Sequence, residues 1–208
     1  MYIRRVHYPL TTLGPGKRVG IYVMGCNKRC KGCMAKELQV IDERYNVNVN
    51  EIIQSIEYYY NLDNSIGVSI SGGEPFLQEE IGRLIVAIKE IGISDILIYS
   101  GYKYEELRTM NNDSINLALD NISVLVDGEY IDELNDNKPL RGSSNQRIIF
   151  FDELLKEKYS SALNTKRKIE IVDNGESIDF FGIFDKGMED KLRKSFKKNN
   201  IEFISGNE

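Results

Sequence analysis

Proline is scarce, with four in 208 residues, and no apolar run is longer than Leu84 to Ile88. The low proline count, with 41% hydrophobic, 10% aromatic and 28% charged residues, excludes disordered and collagen-like chains. The short runs exclude a membrane helix, which needs ~20 apolar residues. No signal-peptide-like apolar core marks the N-terminus, so the cytoplasm is the expected address and no membrane partner is expected. Acidic side chains are missing from residues 1–36, which carry eight basic ones: Arg4, Arg5, Lys17, Arg18, Lys28, Arg29, Lys31 and Lys36. With a net charge of −5 overall, the other 172 residues hold −13. That balance argues against a nucleic-acid binder. The cationic segment reads either as a solvated face or as a positive surround for something negative, a metal–sulfur cluster or an acidic partner.

Cysteine is equally sparse and unevenly placed. All three fall in Gly25-Cys26-Asn27-Lys28-Arg29-Cys30-Lys31-Gly32-Cys33, a CxxxCxxC spacing. Thiols this close do not make a disulfide framework, which pairs cysteines across a chain. Two metal readings remain. A structural zinc site needs four ligands, and His7 is the sole histidine available as the fourth. A 4Fe–4S cubane is completed by four thiolates, so three leave one iron open to a small molecule.

Residues 19–24 read as a buried strand running into the cysteine loop. Apolar residues at helical spacing follow over 51–60, with Asn50 as the N-cap. Ile66 to Ile70 reads as the next strand, ending in Ser71-Gly72-Gly73-Glu74-Pro75. Leu77, Ile81, Leu84, Ile85 and Ile88 then define a helix ending near Gly92. Ile96 to Tyr99 is a strand, residues 104–119 are helical with a break at Asn111-Asn112, and Ser123 to Val126 is a strand ending at Asp127-Gly128. Such alternation predicts a parallel sheet whose ligands gather at the C-terminal strand ends. There two glycines let backbone approach a ligand closely, Glu74 offers an acceptor for a ligand ammonium and Pro75 fixes the turn. Beyond Phe150 the pattern is a helix over 151–163, a hairpin of 168–172 and 178–183 around Asp173-Asn174-Gly175, and a helix over 188–198.

The cysteine motif followed by Gly72-Gly73-Glu74-Pro75 resembles the radical S-adenosylmethionine superfamily. Gly14-Pro15-Gly16-Lys17-Arg18, the run Ile98 to Leu107, and the runs Val124 to Gly128 and Arg141 to Arg147 narrow the resemblance to the activating proteins of anaerobic ribonucleoside-triphosphate reductase. It covers about residues 14–150. The resemblance implies an α/β fold, a partial (β/α) barrel in residues 1–150, with residues 151–208 as a small helix-hairpin-helix extension on the same domain. It implies a 4Fe–4S cluster on Cys26, Cys30 and Cys33 and S-adenosyl-L-methionine on the fourth iron. Reductive cleavage of that cofactor would then place a glycyl radical on a partner enzyme. Gly72, Gly73 and Glu74 would meet the methionine amino end, and the backbone at Gly32 and Met34 the adenine side. Ser100, Asp127 and Asn145 would serve the ribose or carboxylate or shape the rim. No catalytic residue beyond the cluster and cofactor site is implied. The implied partners are the glycyl radical enzyme and a flavodoxin or ferredoxin-like electron donor.

Two departures stand out. Met34 occupies a position where members of this branch often carry an aromatic side chain, and the chain runs 58 residues beyond the end of the pattern at Phe150. The absence of a fourth cysteine excludes an auxiliary cysteine-ligated cluster. The competing readings are a radical S-adenosylmethionine enzyme acting on a peptide or small molecule, and a non-catalytic iron–sulfur or zinc protein.

Overall fold

The computed structural model describes residues 1–175 and 177–199. Strands β1 (Ile3–Leu10), β2 (Arg18–Val23), β3 (Gly67–Gly72), β4 (Ile96–Tyr99), β5 (Val124–Asp127) and β6 (Arg147–Phe150) form one sheet in chain order. The middle four are parallel; β1 and β6 run antiparallel along the two edges. Among the described residues the sheet is therefore open, with no closed barrel.

Strand order equal to chain order requires each crossover to return on the same side. The crossovers are α1 (Val49–Leu62), α2 (Ile81–Ile91) and the pair α3 (Tyr104–Thr109) and α4 (Asp113–Leu119). Ile52 and Ile56 of α1, Leu84, Ile85 and Ile88 of α2, and Ile115 and Leu119 of α4 pack into one core with Ile21, Val68, Ile70, Ile98 and Leu125 of the strands. The alternate strand residues Tyr22, Leu97, Tyr99, Val124 and Val126 join other clusters, with Tyr159 and Phe181 from the C-terminal residues. Burial on both faces is why β4 and β5 read as continuous apolar runs.

Helix α1 starts at Val49, two residues earlier than the expected Glu51, so the cap moves from Asn50 to Asn48. Asn48 is its cap, accepting the Asn50 N–H at 2.9 Å, because the buried Val49 already belongs to the apolar face. The break after α3 lies at Asn111, with φ +49°, and Asn112 caps α4 through Ile115 N–H at 3.0 Å. After β6, a 3-10 turn at Glu153–Leu155 leads into α5 (Lys156–Leu163), so the helix begins later than Phe151. Asp152 accepts the Leu154 N–H and caps the 3-10 turn. A separate hairpin, β7 (Ile169–Asp173) and β8 (Ile178–Gly182), and α6 (Met188–Lys198) follow. Residues 176 and 200–208 of the expected extension lie outside the described residues.

At the N-terminal end of the parallel strands sits a buried charge pair. Arg18, fully buried, donates to both Asp95 oxygens at 2.9 Å, to Ser69 Oγ at 2.6 Å and to Val68 O at 2.7 Å. Asp95 also accepts from Lys158 Nζ and Tyr159 OH of α5, each at 2.7 Å. A Cβ at Gly14, whose φ is +129°, or at Gly67 would stand 2.7 or 2.5 Å from the Arg18 side chain. The Gly14-to-Arg18 run is thus a cradle for a buried guanidinium.

Candidate functional site

The C-terminal ends of β2 to β5 open onto one rim, and the cysteine loop leaves β2 there. Cys26, Cys30 and Cys33 are all half-buried and none is in a disulfide. The loop is held by backbone: Cys26 N–H donates to Gln39 O at 3.0 Å, Cys33 N–H to Cys30 O at 3.2 Å and Gly25 N–H to Leu38 O at 2.8 Å. Burial pushes the Cys30 and Cys33 thiols up, and the Cys26 thiol adds to both shifts. Backbone at Tyr130 works against the rise at Cys30; backbone at Ala35 and the Gln39 side chain do so at Cys33. These hydrogen bonds favour the thiolate, the form that binds metal, and offset only part of the effect of burial.

Among the described residues, no three His, Cys, Asp or Glu side chains are set around a single metal ion. A cubane asks for thiolates on separate irons, and the three-thiol set fits that donor chemistry. His7 is elsewhere. It stacks on Phe181 at 4.0 Å, lies 3.2 Å from Glu170 Oε2 and pairs across the sheet with Gly20. The fourth-ligand role considered for it in a zinc site is not realised.

The end of β3 is locked onto the start of the loop. Gly73 N–H donates to Val23 O at 2.8 Å and Glu74 N–H to Gly25 O at 2.7 Å. Gly72 has φ +109°, and its Cβ would meet Val23 O at 2.5 Å; a Cβ at Gly73 would overlap Gly25 O. The close approach read from these two glycines is therefore made to the protein's own backbone, which sets the loop's height above the sheet.

Glu74 is almost completely buried. Oε1 accepts from Ser100 Oγ at 2.9 Å and Phe76 N–H at 3.1 Å, and Oε2 from Gly101 N–H at 2.8 Å. It thereby joins the ends of β3 and β4. Burial pushes its carboxyl up to about 7, against the lowering pull of those donors and of the Lys28 ammonium. Among the described residues Glu74 has no ion-pair partner. Three hydrogen bonds leave one of about four acceptor positions for a further donor.

Ser100, buried, also accepts Tyr102 N–H at 3.0 Å. Asp127, fully buried, accepts Tyr104 N–H at 2.8 Å and both Nε and NH2 of Arg147, so it braces the rim between α3 and β6. Exposed Asn145 donates to Glu129 O at 2.8 Å. Gly32, with φ +74°, lies against the Asp132 side chain, and Met34 Sδ accepts Phe184 N–H at 3.3 Å. The departure at Met34 thus faces the C-terminal residues.

One residue within the motif went unassigned in the sequence. Lys28 puts its ammonium 4.0 Å from the Tyr102 ring centroid and 3.2 Å from Glu129 Oε1, while Asn27 donates to Tyr102 OH at 2.5 Å. The loop is thus fastened to the segments after β4 and β5. Its place between Cys26 and Cys30 was the available signal. The positive surround is largely cancelled: five of the eight N-terminal cations pair with carboxylates, Arg5 with Asp179, Lys17 with Asp63, Arg18 with Asp95, Lys28 with Glu129 and Lys31 with Glu133.

Comparison with known proteins agrees with this geometry. The model of the 4Fe-4S single cluster domain matches residues 12–149. The anaerobic ribonucleoside-triphosphate reductase-activating protein of Escherichia coli (strain K12) is 30% identical over 154 residues, covering 68% of this chain and 94% of the relative. That of Salmonella typhi is 32% identical over 151 residues, with the same coverage. The chain belongs to the family of anaerobic ribonucleoside-triphosphate reductase-activating proteins. The phage T4 member is 29% identical over 139 residues, 65% of this chain and 85% of its own. The cluster-domain match takes in β2 to β5 and the whole rim, so the family's cluster domain and the cysteine loop are the same region. Helices α5 and α6 and the β7–β8 hairpin lie beyond it.

Proposed function

We propose that this chain is a radical S-adenosylmethionine activase, its open sheet the wall of a partial (β/α) barrel. When bound on Cys26, Cys30 and Cys33, with S-adenosyl-L-methionine on the fourth iron, a 4Fe–4S cluster supplies one-electron reductive cleavage of the sulfonium and hence hydrogen-atom abstraction from a glycine of anaerobic ribonucleotide reductase. The carrying observation is Glu74: a buried carboxylate without a countercharge, fastened to the same backbone as the cysteine loop. A ligand ammonium there supplies the missing charge. Ser100 and Gly101 hold the carboxylate in place, Gly72 and Gly73 set the loop, and Gly32 and Met34 flank the adenine side. Asp127 and Asn145 shape the rim. Electrons come from a flavodoxin or ferredoxin-like donor.

The test is anaerobic. The chain is reconstituted with iron and sulfide, reduced, and mixed with S-adenosyl-L-methionine and the co-encoded reductase. Electron paramagnetic resonance and 5′-deoxyadenosine yield are then recorded. A glycyl doublet on the reductase together with deoxyadenosine is expected. Deoxyadenosine without a protein radical moves the assignment to a peptide or small-molecule substrate; neither product, with no iron retained, overturns it.

A further inference from the structure

We infer that a cavity at the opposite end of the sheet from the cysteine rim binds a phosphate-bearing anion. The cavity has a volume of about 500 Å³ and lies between the Gly14–Lys17 loop, α5 and residues 165–168. Among the described residues five cationic side chains line it, Lys17, Lys158, Lys166, Arg167 and Lys168, and no acidic one does. Two of these charges are matched elsewhere: Lys17 by Asp63 at 3.3 Å and Lys158 by Asp95 at 2.7 Å. Lys166 and Lys168 are exposed and have no carboxylate within ion-pair distance among the described residues.

Arg167 carries the argument furthest. Its side chain is 3% exposed, and it makes five hydrogen bonds, all to neutral oxygens: those of Lys138, Phe184, Arg141 and Gly142 backbone and Asn135 Oδ1. Its carboxylate neighbour, Asp185, is 4.0 Å away and more than half exposed. Burial outweighs the pull of Asp185 and Asp136 on this guanidinium, and a charge so weakly matched is costly in a desolvated position. An anion in the adjoining cavity, held by Lys166 and Lys168, supplies the countercharge. Thr12, also in the lining, has a buried hydroxyl oxygen with no hydrogen-bond partner among the described residues. Pro139, Leu140 and Ile183 give the cavity an apolar wall beside its cations, which suits a phosphate group on an organic body.

Isothermal titration calorimetry on the full-length chain tests this, with tripolyphosphate, ATP and adenosine as probes. Tripolyphosphate and ATP are expected to bind with similar affinity and adenosine not at all, which separates free phosphates from nucleosides. The double variant Lys166→Ala/Lys168→Ala is expected to weaken both at least tenfold, roughly the effect of removing two phosphate-facing cations. Lys197→Ala/Lys198→Ala makes the same charge change on α6, outside the cavity, and is expected to have less than about a twofold effect. The inference is overturned if the unmodified chain binds neither phosphate. It is overturned equally if the α6 variant weakens binding as much as the cavity variant, or if adenosine binds as well as ATP.

Discussion

Asp95 and Glu74 are both buried carboxylates at ends of the same parallel strands, yet they are kept in opposite states. Asp95, just before β4, would be raised by burial, but the Arg18 guanidinium and the hydrogen bonds from Arg18, Lys158 and Tyr159 hold it at about 2. Glu74, just after β3, has neutral donors and a more distant Lys28, and burial leaves it at about 7. Asp95 has its charge closed by its own neighbours, whereas Glu74 is left without an ion-pair partner among the described residues. The first arrangement serves the fold, and the second serves the ammonium group of the proposed cofactor. Chemistry and stability are therefore expected to respond separately to mutation at the two ends.

The largest expected effect is at the rim. Cys30→Ala is expected to abolish deoxyadenosine formation while leaving the unfolding midpoint of the metal-free chain unchanged, because the thiol is half-buried on a loop pinned by backbone bonds. A variant that still cleaves the cofactor would break the comparison at its upper end.

At the lower end the effect is on stability. Arg18→Ala leaves Asp95 and its partners buried around a missing charge and is expected to cost about 3–5 kcal/mol in urea unfolding. Arg18→Met combined with Asp95→Leu removes both charges and should recover most of that loss. A cost below about 1 kcal/mol for Arg18→Ala would mean that the pair does not hold the strands and α5 together.

At the rim, Glu74 makes stability depend on pH. Its folded pKa, about 7, is above the ordinary carboxylate value of 4.5, so its contribution to stability is fully present below about 4.5 and is lost as pH rises through about 7. The shift corresponds to about 3 kcal/mol. Relative to Glu74→Gln, the metal-free wild-type chain is expected to lose that amount across this window, measured by unfolding at stepped pH. Parallel stability curves for the two proteins would show that Glu74 is already neutralised within the fold.

These contrasts explain what was legible in the sequence. Strands β2 to β5 are buried on both faces, so their apolar runs announced them, and the helices between them kept a 3.6-residue period. The cysteine loop and Gly72-Gly73-Glu74-Pro75 were visible because they end those strands. Edge strands carry a weaker signal: β1 is largely half-exposed and holds Arg4, Arg5 and His7, while β6 has no buried residue. Arg18 was counted with the surface cations because nothing local shows that Asp95, 77 residues away, neutralises it in the interior. The same blindness to long-range pairing made residues 1–36 look like a cationic field. The bracing of Asp127 by Arg147 was hidden for that reason too.

The smallest expected effect follows from this neutralisation. An acidic flavodoxin acting as the proposed donor would meet Lys28 and Lys31 already facing Glu129 and Glu133, so the attraction expected is local and short-ranged. Its reduction of the cluster-loaded chain is expected to slow only roughly two- to threefold across a moderate rise in ionic strength, far less than a fully exposed cationic patch would give. A steep dependence in stopped-flow reduction would show that the donor reads the cations left outside these pairs, such as Arg29 and Lys36. A flat one would remove electrostatic steering from the encounter, leaving the rim's charges to the orientation of the loop alone.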